Sequence, residues 1–265
     1  MCSTLGVARA SYYVWTKKSP VCRYSADVRQ IAKGAFIQSR GSIGSRRVSH
    51  VLKKAGYQVG RYQARSIMRN LGLVVKRRRR FKLTTVANPK NPVADNILNR
   101  DFTPNRPNES WSADITYIPT KAGWLYLSIV MDLFSRRLVG WKTNTRMDAS
   151  LVITSLMKAA KERKPPTTLI FHSDRGSQYT CQKTQKAIKC LGITQSMSRR
   201  GNCWDNAPTE RFFASFKSEW MPRSGYETRE EAEKDIREYI LGYYNSNRLH
   251  STLGYMSPIE YEHAS

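Results

Sequence analysis

The order of apolar segments after residue 110 limits the possible folds of this chain more than any other feature. Segment 110–118 alternates apolar and polar residues, as a strand with two different faces does. Asp114 is then expected on the polar face of that strand. Segment 124–132 is almost continuously apolar, which is typical of a strand covered on both faces. A third strand is predicted at 137–143.

Helices and strands alternate in the rest of this region. We predict a helix from Asp148, a strand at 168–173, a helix at about 177–190, a strand at 193–197 and a helix from near Pro208. Three consecutive strands followed by helical crossovers predict a mixed α/β sheet flanked by helices.

Residues 25–75 predict a small all-α domain of three short helices, similar to a helix-turn-helix unit. The second helix is expected to begin near Ser45 as its N-cap, and the third to run from about Arg61 to Leu71 and end at Gly72. The side chains expected on the outer face of the third helix are Arg61, Gln63, Arg65 and Arg69. Such a helix suits the major groove of DNA, although a helical hairpin with a solvated face would have the same pattern.

Positive charge is concentrated in the first 100 residues. They contain 22 Lys and Arg against two acids, a net charge of +20, whereas residues 101–265 contain 23 against 18, a net charge of +5. This asymmetry indicates a basic arm that meets a polyanion, because solvated faces usually mix both signs; the alternative is a contribution to solubility alone. The densest run is KRRRRFK at 76–82, and phosphate contacts are expected from Arg77, Arg78, Arg79 and Arg80.

Several classes of protein are disfavoured by composition. No apolar stretch reaches membrane-spanning length, and the start of the chain does not have the pattern of a signal peptide. The five cysteines are scattered and odd in number, and the four histidines do not combine with them at zinc-ligand spacing. A reducing cytoplasm, without membrane association, fits these features.

Three acids occupy positions that call for a special explanation. Asp114 lies mid-strand, Asp174 at the exit of a strand, and Glu210 in the first turn of a helix. An acid in a central strand is costly unless its charge is offset. Mg²⁺ prefers carboxylate oxygens, and two such ions roughly 3.5–4 Å apart serve phosphodiester chemistry well. The sequence therefore predicts a metal site at these three acids.

Lys217 follows Glu210 by seven residues, about two helical turns, so both side chains are expected on one side of the helix. A cation there would hold a DNA phosphate; the alternative is an ordinary surface lysine.

Four further residues in these motifs have less defined roles. Asp132 is expected to end a strand rather than bind metal, and Asp205 to organise the loop before Glu210. His172 would contact a metal-bound water or DNA, or make a structural hydrogen bond. Trp204 would stack on a base or close the core, and the sequence favours neither.

Several longer motifs carry a resemblance to a known family. They are WSADITYI (111–118), MDLFSRRLVGW (131–141), HSDRGSQYT (172–180), GNCWDNAPTERFFASFK (201–217) and YYNSNRLHSTLGYMSPIEY (243–261). With them, the chain resembles the larger open-reading-frame product of IS3-family insertion sequences, close kin of retroviral-integrase catalytic cores. The 35 residues between Asp174 and Glu210 match the spacing of that family.

The resemblance implies a ribonuclease H-like core in which Asp114, Asp174 and Glu210 are the catalytic ligands of two Mg²⁺ ions, with Mn²⁺ as a substitute. Lys217 matches the basic residue that follows the glutamate in this family. The implied chemistry is cleavage by water at an element end, then attack of the freed 3′-OH on another phosphodiester, without a covalent protein–DNA intermediate. Transposition in this family proceeds through a circularised element.

The resemblance also implies partners: element-end and target DNA, a homo-oligomer on DNA, and a smaller upstream product (OrfA) supplied separately or as a frameshift fusion. The chain is expected to begin after that product. Two alternative functions remain at this stage, a nuclease of the same fold that never joins strands and a non-catalytic DNA-binding regulator.

Five segments are predicted along the chain. They are a truncated N-terminal segment (1–22), a basic three-helix DNA-binding domain (23–82), a linker (83–108), the ribonuclease H-like catalytic core (109–222) and a C-terminal helical extension (223–265). Ile97 and Leu98 of the linker are expected to dock on the core. Arg248 and His250 are expected to lock the last helices together.

Overall fold

A computed structural model describes residues 2, 4, 6–17, 24–75, 93–200 and 202–265. The chain divides into two compact units, one formed by Met1–Ile37 with Ile43–Val74 and the other by Gln38–Ser42 with Val75–Ser265. The whole basic run 76–82, with Arg77, Arg78, Arg79 and Arg80, and the first part of the predicted linker lie outside the described residues.

The first unit is helical. Its helices are α1 (Arg9–Lys17), α2 (Ala26–Gln38), α3 (Ser45–Lys54) and α4 (Arg61–Asn70). Apolar side chains of α2, α3 and α4 form one core, which includes Val28, Val48, Leu52 and Ile67. The prediction of three short helices is confirmed.

One helix end differs from the prediction. Ser45 is the first residue of α3, but Gly44 stands at the N-cap position with extended backbone, and no side chain caps the helix there. The prediction that Ser45 is the N-cap was wrong. Helix α4 ends as expected, because Gly72 follows it at a φ of +65°, a conformation that glycine adopts without a Cβ clash.

The second unit contains a sheet and its covering helices. Its strands are β1 (Ser110–Thr120), β2 (Gly123–Asp132), β3 (Leu138–Asn144), β4 (Ile170–Ser173) and β5 (Thr194–Met197). Its α-helices are α5 (Ala149–Arg163), α6 (Ser177–Thr180), α7 (Gln182–Cys190), α8 (Ala207–Ser215), α9 (Arg229–Arg237) and α10 (Pro258–Ala264). Shorter 3₁₀ turns are formed by Cys203–Asn206 and Ser251–Leu253, and π-helical turns by Phe216–Trp220 and Glu238–Tyr244.

The five strands are arranged in the order β3-β2-β1-β4-β5. β1 pairs antiparallel with β2, and β2 with β3, whereas β4 runs parallel to β1 and β5 parallel to β4. Parallel neighbours need crossover connections, and α5 supplies the first while α6 and α7 supply the second. This order and these directions confirm the prediction of a ribonuclease H-like fold.

Apolar clusters cover both faces of the sheet. On one face, Leu127 and Ile129 belong to a cluster with Phe212 of α8. On the other, Val130 belongs to a cluster with Leu156 of α5. Coverage on both sides explains why β2 is almost continuously apolar in sequence.

The end of the predicted linker is fastened to β5. The backbone N–H groups of Ile97 and Leu98 both donate to the hydroxyl of Ser196, at 3.0 and 3.1 Å, and Met197 N donates to the carbonyl of Asp95 at 3.1 Å. The Leu98 side chain is buried, whereas that of Ile97 is half-exposed. Docking is therefore confirmed for Leu98, while Ile97 contributes only its backbone.

The C-terminal helices are held by a buried ion pair. Arg248 donates to both carboxylate oxygens of Glu219, at 2.9 and 3.0 Å, and to the Ser215 hydroxyl at 3.0 Å. His250 lies edge-on to Tyr244, with ring centroids 5.0 Å apart. Arg248 and His250 thus help to hold the last helices together, as expected, and Arg248 also ties them to the segment that follows α8.

Across the part of the chain that the structure describes, no helix is both long enough and apolar enough to cross a membrane.

Gly140 in β3 tests the packing between the sheet and α5. A Cβ at this position would meet the Ser155 carbonyl at a forbidden distance and Ala159 Cβ at 2.8 Å. We expect Gly140→Ala to lower the free energy of unfolding by about 1–3 kcal/mol, the usual cost of overpacking. Gly242→Ala is the matched control, since its nearest neighbour is 3.9 Å away. Equal urea midpoints for the two variants would contradict this packing.

Candidate active site

Asp114 lies in the middle of β1, between the two apolar layers. Its Oδ1 accepts a hydrogen bond from the backbone N–H of Ile115 at 2.7 Å. Its cross-strand partner is Ile129, a member of the apolar cluster. Asp114 faces away from Trp111 and Ala113, as expected, because those two residues belong to the cluster on the other face of the sheet. The face that carries Asp114 is nevertheless lined by apolar residues of β2. Burial raises the pKa of Asp114 well above its ordinary value, and the negative charges of the other two predicted acids raise it further.

Asp174 follows β4 directly, beside β1. Its Oδ1 accepts from the backbone N–H of Gly176 at 2.9 Å, and a Cβ on Gly176 would stand 3.0 Å from that oxygen. Burial raises the pKa of Asp174, although the Gly176 hydrogen bond opposes the shift. The turn after β4 thus holds the carboxylate by a backbone donor where a side chain would crowd it.

Glu210 stands in the first turn of α8, as the sequence predicts. Burial and the charge of Asp174 both raise its pKa. The structure therefore brings Asp114, Asp174 and Glu210 within electrostatic reach of one another, from three different elements. Among the described residues, however, no three His, Cys, Asp or Glu side chains are grouped tightly enough to hold a metal ion as they stand. All three predicted acids are partly exposed, so solvent reaches them.

Lys217 lies near Asp114, but the backbone that carries it differs from the prediction. Helix α8 ends at Ser215, so Lys217 lies on the π-helical turn Phe216–Trp220 rather than two regular helical turns after Glu210. Its Nζ lies 4.5 Å from the centroid of the Tyr117 ring. Burial lowers the pKa of Lys217 to about 8, although the charge of Asp114 opposes the shift.

Asn206 ties α8 to β1 through both atoms of its side-chain amide. Nδ2 donates to the Ala113 carbonyl at 3.2 Å, and the Ser112 hydroxyl donates to Oδ1. Asn206 stands at the N-cap position, but its side chain does not cap the helix. These bonds join the backbone just before Asp114 to the helix that carries Glu210. Asn206 has the residue type of a helix N-cap, and no local signal in the sequence indicates a partner 93 residues away.

Asp205 organises the loop before α8, as expected. Its carboxylate accepts from Arg199 Nη2 at 2.8 Å, from Arg100 Nε at 2.7 Å and from Asn96 Nδ2 at 3.1 Å. It also accepts from the backbone N–H of Arg199 at 2.9 Å. The hydrogen bond from Arg199 is the largest of the effects that hold the pKa of Asp205 far below its usual range. The side chain is fully buried, so it faces these partners rather than a ligand.

His172 and Asp132 are structural residues. His172 is fully buried, and its two ring nitrogens lie 2.9 and 3.1 Å from the hydroxyls of Ser196 and Ser198. Burial lowers the pKa of His172 to about 4, so the ring is neutral at physiological pH. Asp132 ends β2 and accepts from the backbone N–H of Asn108, which precedes β1, at 2.9 Å and from that of Phe134 at 3.0 Å. Of the two interpretations open for His172, the structure favours the hydrogen-bonded one.

In the first unit, the predicted DNA-facing side chains lie together on the exposed side of α4. Arg61, Arg65 and Arg69 are exposed, as is Gln63. Gln63 also has a local role, because its Oε1 accepts from the backbone N–H of Gly60 at 2.8 Å. Tyr62 is 81% exposed beside them and was not among the predicted residues.

Comparisons with known proteins agree with this architecture. Family profiles described as an integrase core domain match residues 104–203 and 191–258, and a profile described as an HTH-like domain matches residues 25–81. The chain is 40% identical to the insertion element IS600 uncharacterized 31 kDa protein of Shigella sonnei, over 97% of this chain and 96% of that protein. It is 36% identical to the transposase InsF for insertion sequence IS3A of Escherichia coli (strain K12), over 99% and 92%.

A solved structure with partial likeness is the simian T-cell lymphotropic virus intasome in complex with PP2A regulatory subunit B56 gamma, with 17% identity and a TM-score of 0.48 over 87% of this chain and 74% of that chain. The profiles and sequence relatives make the protein a DNA transposase with an integrase-like core, a class of polynucleotidyl transferase. Within that class, the chain belongs to the IS3 family of insertion-sequence transposases.

The Asn206 amide is testable through stability. Asn206→Ala leaves a buried carbonyl and a buried hydroxyl without their partner, so we expect the free energy of unfolding to fall by about 1–3 kcal/mol. Asn206→Asp keeps the acceptor but loses the donor to Ala113, and its charge adds to the repulsion among the acids. It should therefore be no more stable than Asn206→Ala. Urea unfolding measures both, and a wild-type midpoint for either variant would contradict the tie between α8 and β1.

Proposed function

We propose that this transposase cleaves the ends of its insertion sequence and transfers the freed 3′-OH to new DNA by Mg²⁺-dependent chemistry at Asp114, Asp174 and Glu210. The observation that carries the proposal is the convergence of these three acids from β1, the end of β4 and α8, so close that each shares a charge interaction with another. Like charges in partly buried positions are costly, which favours a cation as their partner.

The donor chemistry of the three acids fits a hard divalent ion. Carboxylate oxygens are the ligands that Mg²⁺ prefers, and no soft thiolate or imidazole competes within the group. Since the carboxylates repel one another, their present spacing is compatible with a ligand set that closes around a cation. Mn²⁺ has similar ligand preferences and is expected to substitute.

When bound, two divalent ions would activate the attacking oxygen and stabilise the leaving oxygen of a phosphodiester. In such a site Asp114, Asp174 and Glu210 would be the residues that hold the ions. In the first step water attacks the phosphorus at the element end, the bond to the 3′ oxygen breaks, and that oxygen leaves as a 3′-OH. In the second step the 3′-OH attacks another phosphodiester, whose own 3′ oxygen leaves.

Lys217 is proposed to bind a DNA phosphate beside the acids. With a pKa of about 8, its amine is still mostly protonated at neutral pH and offers a positive charge. The Tyr117 ring holds the amine from one side by a cation–π contact. Its partial burial argues against the alternative of an ordinary surface lysine.

The first unit is proposed to bind DNA through α4, with Arg61, Arg65 and Arg69 on phosphates or base edges. Gln63 offers its amide N–H₂ group, since its oxygen is used within the helix. A homo-oligomer on DNA and cooperation with a smaller upstream product are also proposed, because two element ends must be brought together.

A strand-transfer assay tests the chemistry most directly. With labelled element-end DNA and Mg²⁺, we expect Asp114→Asn to reduce joining at least about 100-fold, because a lost metal ligand removes several kcal/mol of transition-state stabilisation. Asp148→Asn is the matched control, since that acid caps α5 and asparagine caps equally well. Undiminished joining by Asp114→Asn would contradict the proposed site. Hydrolysis without joining, with the upstream partner present, would support a plain nuclease instead.

The DNA-binding role of α4 is tested by salt dependence. We expect Arg65→Ala with Arg69→Ala to weaken binding to element-end DNA and to lower the slope of log affinity against log salt by about 2, one counterion for each lost phosphate contact. The control removes the same charge from exposed positions of α7, with Lys183→Ala and Lys186→Ala. Equal slopes for both double variants would remove α4 from the DNA interface.

A further inference from the structure

An exposed indole stands close to the candidate active site. Trp204 is 70% exposed and lies in the 3₁₀ turn Cys203–Asn206, which leads directly into α8. The sequence left two roles open for it, stacking on a base or closing the core. Its exposure excludes the second, because a core tryptophan would be largely buried.

The turn that carries Trp204 is fixed by its neighbours. The backbone N–H of Trp204 donates to Asn202 Oδ1 at 3.2 Å. The next two residues are both buried, Asp205 in its arginine network and Asn206 in its bonds to β1. An indole on such a support keeps its position while its face remains open to solvent.

Exposed arginines lie near Trp204 in the chain, and their positive charge suits binding to a polyanion. Arg199, Arg200 and Arg211 are exposed on the same loop and on the start of α8. The acid nearest in sequence, Asp205, has its charge met by Arg199 and Arg100. An exposed aromatic ring with exposed arginines a few residues away in the chain is a combination that suits a DNA strand, through base stacking and phosphate contact.

The distance between Trp204 and Glu210 limits which DNA base Trp204 can reach. Two steps of 3₁₀ helix and four of α-helix separate the two residues, an axial distance of about 10 Å. Successive nucleotides of one strand in duplex DNA are about 3.4 Å apart along the axis. Trp204 therefore stands within about three nucleotides of a phosphate held at Glu210.

We propose that Trp204 stacks on an unpaired DNA base within three nucleotides of the scissile phosphate and so holds the opened element end in the site. The proposal rests on the proposed role of Glu210 for its position. Because every base has a π face, stacking would hold the end without reading its sequence.

The experiment uses the full chain without divalent metal and element-end duplexes that carry 2-aminopurine at each of the four positions on either side of the scissile phosphate. For wild-type protein, we expect binding to change the fluorescence strongly at one position within three nucleotides of that phosphate. Trp204→Phe keeps an aromatic face and should keep this signal. Trp204→Leu keeps apolar bulk without a π face; it should lose the signal and bind about 5- to 100-fold more weakly.

An abasic site at the responsive position provides the matching change in the DNA. It should weaken wild-type binding to the level of Trp204→Leu and leave Trp204→Leu itself unaffected, as expected of two changes that remove one contact. Wild-type affinity and signal in Trp204→Leu would overturn the proposal. So would unchanged DNA binding with reduced self-association, which would place Trp204 in a protein interface.

Failure of the stacking proposal and failure of the metal proposal give different results. Asp114→Asn should keep the 2-aminopurine signal while it loses strand transfer. If Asp114→Asn still joins strands, the proposed metal site is wrong, and the stacking proposal is then decided by the Trp204→Leu and abasic-site results.

Discussion

Mutual repulsion among three carboxylates is the constraint around which the larger unit is organised. Asp114, Asp174 and Glu210 come from separate elements. The charges of Asp174 and Glu210 raise the pKa of Asp114, and the charge of Asp174 raises that of Glu210, so the fold must hold the three acids together against their charge. The parallel pairing of β1 and β4 sets the first two side by side. Glu210 lies on α8, which follows a loop and the short 3₁₀ turn after β5. The position of this helix therefore depends on hydrogen bonds of its own.

Those bonds are made by the residues just before Glu210. Asn206 ties the start of α8 to the backbone beside Asp114. Asp205 accepts hydrogen bonds from Arg199 of the loop and from Arg100 of the segment before the sheet. Behind α8, the buried pair of Arg248 and Glu219 fastens the tail. The costs of burying these charges are offset because each is paired. Among the three acids, Asp114 has its pKa lowered by the charge of Lys217, which opposes the effect of burial.

Much of this architecture could be predicted from the sequence. Alternation in β1, continuous apolarity in β2 and helical spacing elsewhere gave the order of elements, since burial on one or two faces leaves a period in the chain. The three acids stood out because acids in and beside predicted strands are costly. Their positions on β1, after β4 and on α8 agree with the structure.

The remaining features depend on contacts that no local pattern records. Asn206 has the right residue type and position for a helix cap, yet its amide bonds to a strand 93 residues earlier. The π-helical turn that carries Lys217 was not foreseen, because packing rather than periodicity sets it. His172 could be assigned only once both of its serine partners were in place.

The central claim is that three repelling carboxylates form one cation site, and direct metal binding tests it most closely. Mn²⁺ binding to the full-length protein can be followed by electron paramagnetic resonance, with wild type, Glu210→Gln and the matched surface variant Glu230→Gln. The account predicts that Glu210→Gln binds Mn²⁺ at least about tenfold more weakly, because a charged ligand is lost, while Glu230→Gln matches wild type. Equal Mn²⁺ affinity in wild type and Glu210→Gln would contradict it.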